Sequence, residues 1–255
     1  MNHLLNISRS GINGLQKKLN ATSHNIANVN TVGYKEQTMQ FKELLHNPIL
    51  NSQAPIDAAA QSSIYRGVEA ELEQIHFEQG AFVSTGNEWD VALAGQGFFG
   101  LRDENNQLTL TRNGNFGLDE TGRVVNSQGQ AVDMVRYLPE NAWPKGTVGI
   151  DQLGNVSITT ADRRQTLVGK INVYQPENLN QLEASGNGQY QLIEGEQAQL
   201  INQGFNVHQG SLEQSNVNIA QSMTDLMVTQ RAYSLNTRVL QSTDELLSIT
   251  NRMTD

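Results

Sequence analysis

The sequence predicts an α+β protein: paired N- and C-terminal helices form a coiled-coil-like stalk, and a central all-β domain is inserted between them. Two observations carry this. Leu5, Ile12, Leu19 and Ile26 recur every seven residues near the N-terminus, and Leu212, Ile219, Leu226, Tyr233, Leu240 and Leu247 do the same near the C-terminus. A seven-residue apolar period belongs to helices that seat one face against other helices. The long middle, by contrast, is Gly-rich, broken by turn clusters and free of sustained helical period. The expected layout is an N-terminal helix over 1–40, an extended connector over 41–70, a β domain over 71–205 and a C-terminal helix over 206–255.

The first helix is expected from Asn2 to Val29. Its second row, Ser8, Leu15, Thr22 and Val29, is half polar, and Gly11 and Gly14 each cost about 1 kcal/mol against Ala. Alone such a helix is marginal, and the glycines suit close approach of neighbouring backbones. The C-terminal segment carries two seams. Beside the row through Leu226, Tyr233, Leu240 and Leu247 runs Val228, Ala232, Leu235, Val239, Ser242, Leu246, Ile249 and Met253. Positions two apart, such as Tyr233 and Leu235, lie about 200° apart on a helix, so the rows face nearly opposite ways. One partner helix needs one stripe; the second stripe asks for the β domain or another copy of the chain. The plainer alternative is a helix buried within one globular domain.

From Trp89 to Val135 short apolar stretches alternate with turns at 103–106, Asn113-Gly114, 119–122 and 127–129, and Asn-Gly is the strongest short hairpin signal. Further strands are expected at Thr147–Ile150, Val156–Thr159, Leu167–Tyr174 and Gln189–Ile193, with a helical turn or two around Pro176–Ala184. Gly95-Gln-Gly-Phe-Phe-Gly100 matches a dinucleotide fingerprint, but a turn and a strand follow it where a helix must hold the pyrophosphate. Its glycines are read as letting strands cross closely.

Composition narrows the function. Hydrophobic residues make up 37% of 255, there is no cysteine, and the formal net charge is −9. Nucleic acid is a poor partner for such a chain, because phosphate contacts need a basic face. The five histidines are scattered without metal-ligand spacing, and no nucleophile elbow or phosphate loop is present. No cofactor, metal, catalytic residue or small-molecule substrate is expected. No cleaved secretory signal and no apolar membrane span are visible. Basic residues exceed acidic ones by three from Met1 to Leu45, and acidic residues exceed basic ones by two from Leu212 to Asp255. Opposite signs favour pairing of the ends.

Three blocks resemble the bacterial flagellar rod and hook family of axial proteins. They are Asn25-Ile-Ala-Asn-Val-Asn-Thr-Val-Gly-Tyr-Lys35; Ser84 to Phe99 continued by Thr111 to Gly122; and Gln209 to Asn218 with Gln230-Arg-Ala-Tyr233. Two departures stand out: Trp89 replaces a small aliphatic residue, and Ala220-Gln-Ser-Met-Thr stands where the family often has acids. The resemblance implies terminal helices that line an axial channel, a β domain outside them and helical polymerisation. It also implies a place in the flagellar basal body, contacts with other rod and hook proteins, and export by the flagellar type III apparatus. It makes Asn28, Asn30, Thr31 and Gly33 the turn that leaves the first helix. With the seam residues Leu5, Ile12, Leu15, Leu19, Ile26, Ile219, Leu226, Tyr233, Leu235, Val239, Leu240, Leu246 and Leu247, Asn28 and Asn30 are the expected subunit contacts. A chain of 255 residues fits a rod protein or a short hook protein, and a rod protein is favoured. Two other classes stay open: a secreted β-rich binding or adhesive module, and an enzyme on the β domain.

Overall fold

The computed structural model describes residues 2–43, 68–103, 105–139, 142–179, 182–193, 195 and 197–254. It is α+β, with an N-terminal helix, a β-rich middle and a C-terminal helix. The chain divides into two compact units, the first from 1–27, 37–76 and 218–255, the second from 28–36 and 77–217.

In the first unit α1 (Asn2–Ala27) packs on α2 (Ile219–Thr254) and on the antiparallel pair β1 (Gln37–Glu43) and β2 (Val68–Ile75). Most of the expected connector lies outside the described residues. Helix α1 stops at Ala27, two residues short of Val29, and Asn25 spends its amide on the chain that follows. Its Nδ2 donates to the Gln37 carbonyl at 2.8 Å and its Oδ1 accepts from the Gln37 N–H at 3.1 Å. Helix α2 starts at Ile219, so Leu212 belongs to a strand and the C-terminal heptads are shorter than the sequence period implies. Asn218 sets the boundary as an N-cap, its Oδ1 accepting from the N–H groups of Ala220 and Gln221 at 3.1 and 3.2 Å. A methyl on Gly11 would meet nothing within 4 Å, whereas Gly14 is buried, so only one of the two glycines sits in a closed space.

The second unit opens with β3 (Phe82–Ser84), β4 (Val91–Gly95), β5 (Phe98–Arg102), β6 (Leu108–Thr111), β7 (Phe116–Leu118), β8 (Val124–Asn126) and β9 (Ala131–Val132). A four-stranded antiparallel sheet follows, built from β10 (Met134–Arg136), β11 (Thr147–Ile150), β12 (Asn155–Thr159) and β13 (Gln165–Ile171) in the order β10-β13-β12-β11. The chain then returns to the larger sheet through β14 (Val173–Pro176), β15 (Leu182–Gly186), β16 (Gln189–Leu192) and β17 (Ala198–Ile201). That sheet runs β15-β16-β6-β5-β9-β8-β7, with β14 bridging β5 and β17. Two outgoing strands close the unit, β18 (Phe205–Gln209) on β4 and β19 (Ser211–Glu213) on β3. One apolar core joins both sheets, with Phe99, Leu101 and Phe116 from the larger and Val156, Ile158 and Val168 from the smaller.

The hairpins repeat one local device. Asp119, Asn126 and Asp151 each accept, through Oδ1, the N–H groups two and four residues on, and a glycine with φ between 80° and 83° completes each turn. This is an Asx turn, in which a short side chain stands in for backbone. One hairpin expectation fails. Asn113-Gly114 is no hairpin tip, because β6 pairs with β5 and β16 while β7 pairs with β8. Gly114 is required for a different reason: a Cβ there would lie 1.7 Å from the Val91 carbonyl oxygen. Of the turn or two expected around 176–184, Leu179 lies in a 3-10 turn, and β15, held by β16, follows from Leu182.

The Gly95–Gly100 motif serves crossing. Gly97 has φ +109° and a Cβ on it would meet Val173 Cγ1 at 2.7 Å, while one on Gly100 would meet the Tyr174 ring at 2.6 Å. No helix follows. Trp89 is accommodated by stacking on Trp143, with ring centroids 6.3 Å apart.

Candidate assembly site

The two apolar rows of α2 differ in burial within the first unit. Leu226, Tyr233 and Leu240 are half-buried, whereas Leu235 is 61% exposed, Val239 53% and Leu246 62%. Ile219 is exposed too, although it shares the first row. On α1, Ile12, Leu15, Leu19 and Ile26 are half-buried. Leu5 and Leu247 lie on the helices, with side chains outside the described residues. What the heptads did not reveal is the chemistry of the buried positions. The most buried described side chains of α2 are hydroxyls, Ser222 and Thr229, and α1 buries Thr22 and Asn25. Thr22 and Thr229 hand their protons to the carbonyls four residues back, Lys18 at 2.9 Å and Asp225 at 2.7 Å. That satisfies the hydroxyls locally and leaves a small, apolar-sided surface. Larger apolar side chains point outward instead: Met223, Met227, Val228 and Ile249 are each at least 47% exposed.

A second feature lies wholly within the second unit, where the segments after α1 and before α2 meet. Asn28 accepts at both oxygens from Thr31, through the backbone N–H at 3.0 Å and the hydroxyl at 3.0 Å. Asn28 is half-buried and Asn30 exposed. Gly33, at φ +69°, donates to the Glu213 carbonyl at 2.8 Å, and a Cβ on it would strike the backbone of Arg112–Asn113 at 2.6–2.7 Å. Further on, the Glu36 N–H donates to Asn216 Oδ1 at 2.8 Å, and Gln214 N–H donates to the Ala81 carbonyl at 2.8 Å.

Under these backbone stitches three charges are sealed from water. Lys35 Nζ lies 2.6 Å from Glu213 Oε1 and donates to the Glu78 carbonyl at 2.7 Å. Arg112 reaches Glu213 Oε2 at 3.5 Å, donates to the carbonyls of Leu93 and Gly95 at 3.1 and 2.8 Å, and lies over the Phe98 ring at 5.2 Å. Glu213 Oε1 also accepts the Gly80 N–H at 2.9 Å. Lys35, Arg112 and Glu213 are all buried. One carboxylate thus serves two cations, backbone carbonyls accept from Lys35 Nζ and from both terminal nitrogens of Arg112, and the buried Arg112 Nε–H is left without a partner. Burial pushes the Lys35 amine below its ordinary value, against the pull of Glu213. Nothing in this cluster opens to a substrate; it can hold segments together. Each of the three residues sits in or beside a family-like block, but no spacing in the sequence joins them.

Tyr34, beside the cluster, gives a pH prediction. Burial first, and then the charge of Glu36, push its hydroxyl up to about 12. Above pH 10 the unfolded chain releases this proton while the folded chain keeps it, so stability falls as pH rises through that window. That rise corresponds to about 2–3 kcal/mol of stability lost by pH 12. Tyr34→Phe is expected to flatten the fall between pH 10 and 12, read by urea unfolding at stepped pH. Lys35 works in the opposite sense and is common to both chains. Equal slopes would refute the assignment.

Residues 5–35 match the family described as flagella basal body rod protein, 92–158 the flagellar hook protein FlgE/F/G D1 domain, and 208–253 the flagellar basal body rod FlgEFG protein C-terminal. The flagellar basal-body rod protein FlgG of Bacillus subtilis is 31% identical over 252 residues, covering 93% of this chain and 94% of that protein. FlgG of Caulobacter vibrioides is 30% identical over 259 residues, covering 98% of each. FlgG of Buchnera aphidicola (Schizaphis graminum) is 30% identical over 252 residues, covering 94% and 95%. The matched termini carry the two helices and the matched middle carries the crossing glycines and Arg112. The chain therefore belongs to the flagellar basal-body rod protein family, as a structural subunit of the rod.

Proposed function

We propose that the chain polymerises helically through α1 and α2, which form a coiled-coil-like core around an axial export channel and act as a drive shaft. In this reading Ile12, Leu15, Leu19 and Ile26 with Leu226, Tyr233 and Leu240 hold the helices of one copy together. Ile219, Leu235, Val239 and Leu246 meet the neighbouring copy, Leu5 and Leu247 continue the seams, and Asn28 and Asn30 contact a neighbour at the turn. In this reading α1 and α2 supply the helical core, the segment between β1 and β2 is the connector, and the β domain keeps β18 and β19. Partners are further copies, other rod and hook proteins and the flagellar type III export apparatus, which carries the chain to the cell envelope. The subunit works mechanically, without catalysis, and a rod position is favoured over a short hook because the relatives are rod proteins.

The observation that carries this reading is the outward stripe of α2. Burying a Leu side chain is worth about 1.5–3 kcal/mol, whereas ordering each residue costs about 1–2 kcal/mol of backbone entropy. A helix whose best-buried side chains are Ser222 and Thr229 gains little from its own unit and much from a neighbour. Amide hydrogen exchange on monomer and assembled rod tests it. The segments 2–27 and 219–254 are expected to exchange freely in the monomer and to be protected on assembly. Full protection of both in the monomer would overturn the reading.

A further inference from the structure

The two sheets of the second unit carry opposite charge. Residues 134–170, which build the four-stranded sheet, contain Arg136, Lys145, Arg163, Arg164 and Lys170 against Glu140, Asp151 and Asp162. Residues 171–204, which build β14–β17, contain Glu177, Glu183, Glu194 and Glu196 and no lysine or arginine. In a chain of net charge −9 this mildly basic stretch contrasts with the acidic one that follows it. The fold gathers part of it at one end of the sheet. Arg163 and Arg164 lie at the β12–β13 turn, closed by Arg163 N–H on the Thr160 carbonyl at 2.8 Å. Gly146, next to Lys145, packs so near that a Cβ on it would touch the Thr159 carbonyl oxygen at 2.1 Å. Lys145, Arg163 and Arg164 are all exposed.

Each sheet also exposes large apolar side chains beside its charges. On the smaller sheet Val135 lies opposite Lys170, the Tyr137 N–H donates to the Val168 carbonyl at 3.0 Å, and Val135, Tyr137 and Leu167 are 45%, 53% and 47% exposed. Along the acidic stretch Leu179, Ile193 and Leu200 are 45%, 41% and 46% exposed, with Leu200 opposite Tyr174 on the β14–β17 pair. Glu177 and Glu183 are exposed on the same stretch. Some of these charges already have weak partners, Lys170 on Asn202 at 2.7 Å and Glu177 on Gln199 at 2.7 Å, both at exposed sites.

We propose that successive copies meet through these sheets, the basic end of the four-stranded sheet β10–β13 on one copy seating on the acidic β14–β17 stretch of the next. The occupant is a second copy because the complement in charge and apolar surface is on the same chain and present in equal number. Where the basic sheet of one copy meets the acidic stretch of the next without the reverse pairing across the same interface, the contact is heterologous and repeats into a ring or an open helix. Opposed potentials steer encounter and fix register; the apolar side chains supply the burial. This contact rests on the polymerisation reading and adds a second interface to the one on α2.

The absence of cysteine in the chain makes cross-linking a clean test. Full-length chains with Tyr137→Cys or Leu167→Cys are mixed, at assembling concentration, with chains carrying Leu179→Cys or Leu200→Cys, and a short thiol cross-linker is added. Linked heterodimers are expected to exceed either homodimer by about tenfold, since a heterologous contact joins unlike patches only. At about 1 M salt, where charges are screened beyond about 3 Å, the yield should drop. Leu118→Cys mixed with Leu153→Cys serves as the control on other exposed surface. Yields no higher than the control in all four mixtures overturn the sheet contact. A parallel mixture, Val228→Cys with Leu246→Cys on α2, separates the readings. If it links while the sheet pairs do not, polymerisation through the helices stands and the sheet contact falls; if neither links, both fall.

Discussion

Replacing Glu213 with Gln is expected to lower the stability of the second unit by about 3–5 kcal/mol, the usual cost of stripping the partner from a buried charge. The substitution keeps the shape and an oxygen for the Gly80 N–H, but leaves Lys35 and Arg112 facing each other without an anion between them. Lys35→Met is expected to cost less. It removes a buried cation along with its charge, leaves the Arg112–Glu213 pair, and strands chiefly the Glu78 carbonyl, worth about 1–3 kcal/mol. Urea unfolding followed by tryptophan fluorescence reads the difference, because Trp89 and Trp143, the chain's only tryptophans, both pack against this unit's core. A Glu213→Gln midpoint equal to wild type, or a larger loss from Lys35→Met, would show that the cluster is not held by its central carboxylate. The expected ordering also makes a mechanical point. The cluster fastens the chain leaving α1 to the chain approaching α2, so weakening it should loosen both roots together.

The double substitution Leu235→Asp with Val239→Asp is expected to leave the monomer as stable as before and to abolish assembly at ordinary concentrations. Both side chains are more than half exposed, so their loss should change monomer stability by no more than about 0.5 kcal/mol. In a polymer each would be buried against a neighbour. Forfeiting two such side chains costs roughly 3–6 kcal/mol, or about two to four decades in the concentration at which assembly begins. Sedimentation of the assembled fraction against total protein measures this, and circular dichroism on the same samples checks the helices. A variant that assembles like wild type would place the outward stripe outside the polymer contact. One that unfolds would show that the stripe already has a partner within the subunit.

Much of the fold was legible because helices and turns are written locally. The heptads at Leu5 to Ile26 and Leu226 to Leu247 lie in helices, and the opposed stripe through Leu235 and Val239 was visible as a second face before any neighbour could be named. The hairpins at 119–122 and 127–129 follow from Asp or Asn placed before glycine, a preference that acts over four residues. Errors arose where distant chain decided. Asn113-Gly114 looks like a hairpin tip, yet its glycine answers to the Val91 carbonyl. Leu212 keeps the heptad spacing, yet pairing with Val83 draws it into β19.

The sequence by itself determined the element types, the family and the outward stripe, since periodicity, capping and turn chemistry depend on neighbours a few positions away. Only the tertiary structure decided the joining of Lys35, Arg112 and Glu213. Glu213 is 178 positions from Lys35 and 101 from Arg112, and no local pattern can announce that they meet. A charge leaves water only where the fold delivers an opposite charge and spare carbonyls to the same place. That delivery is a property of the strand crossings and not of any single segment.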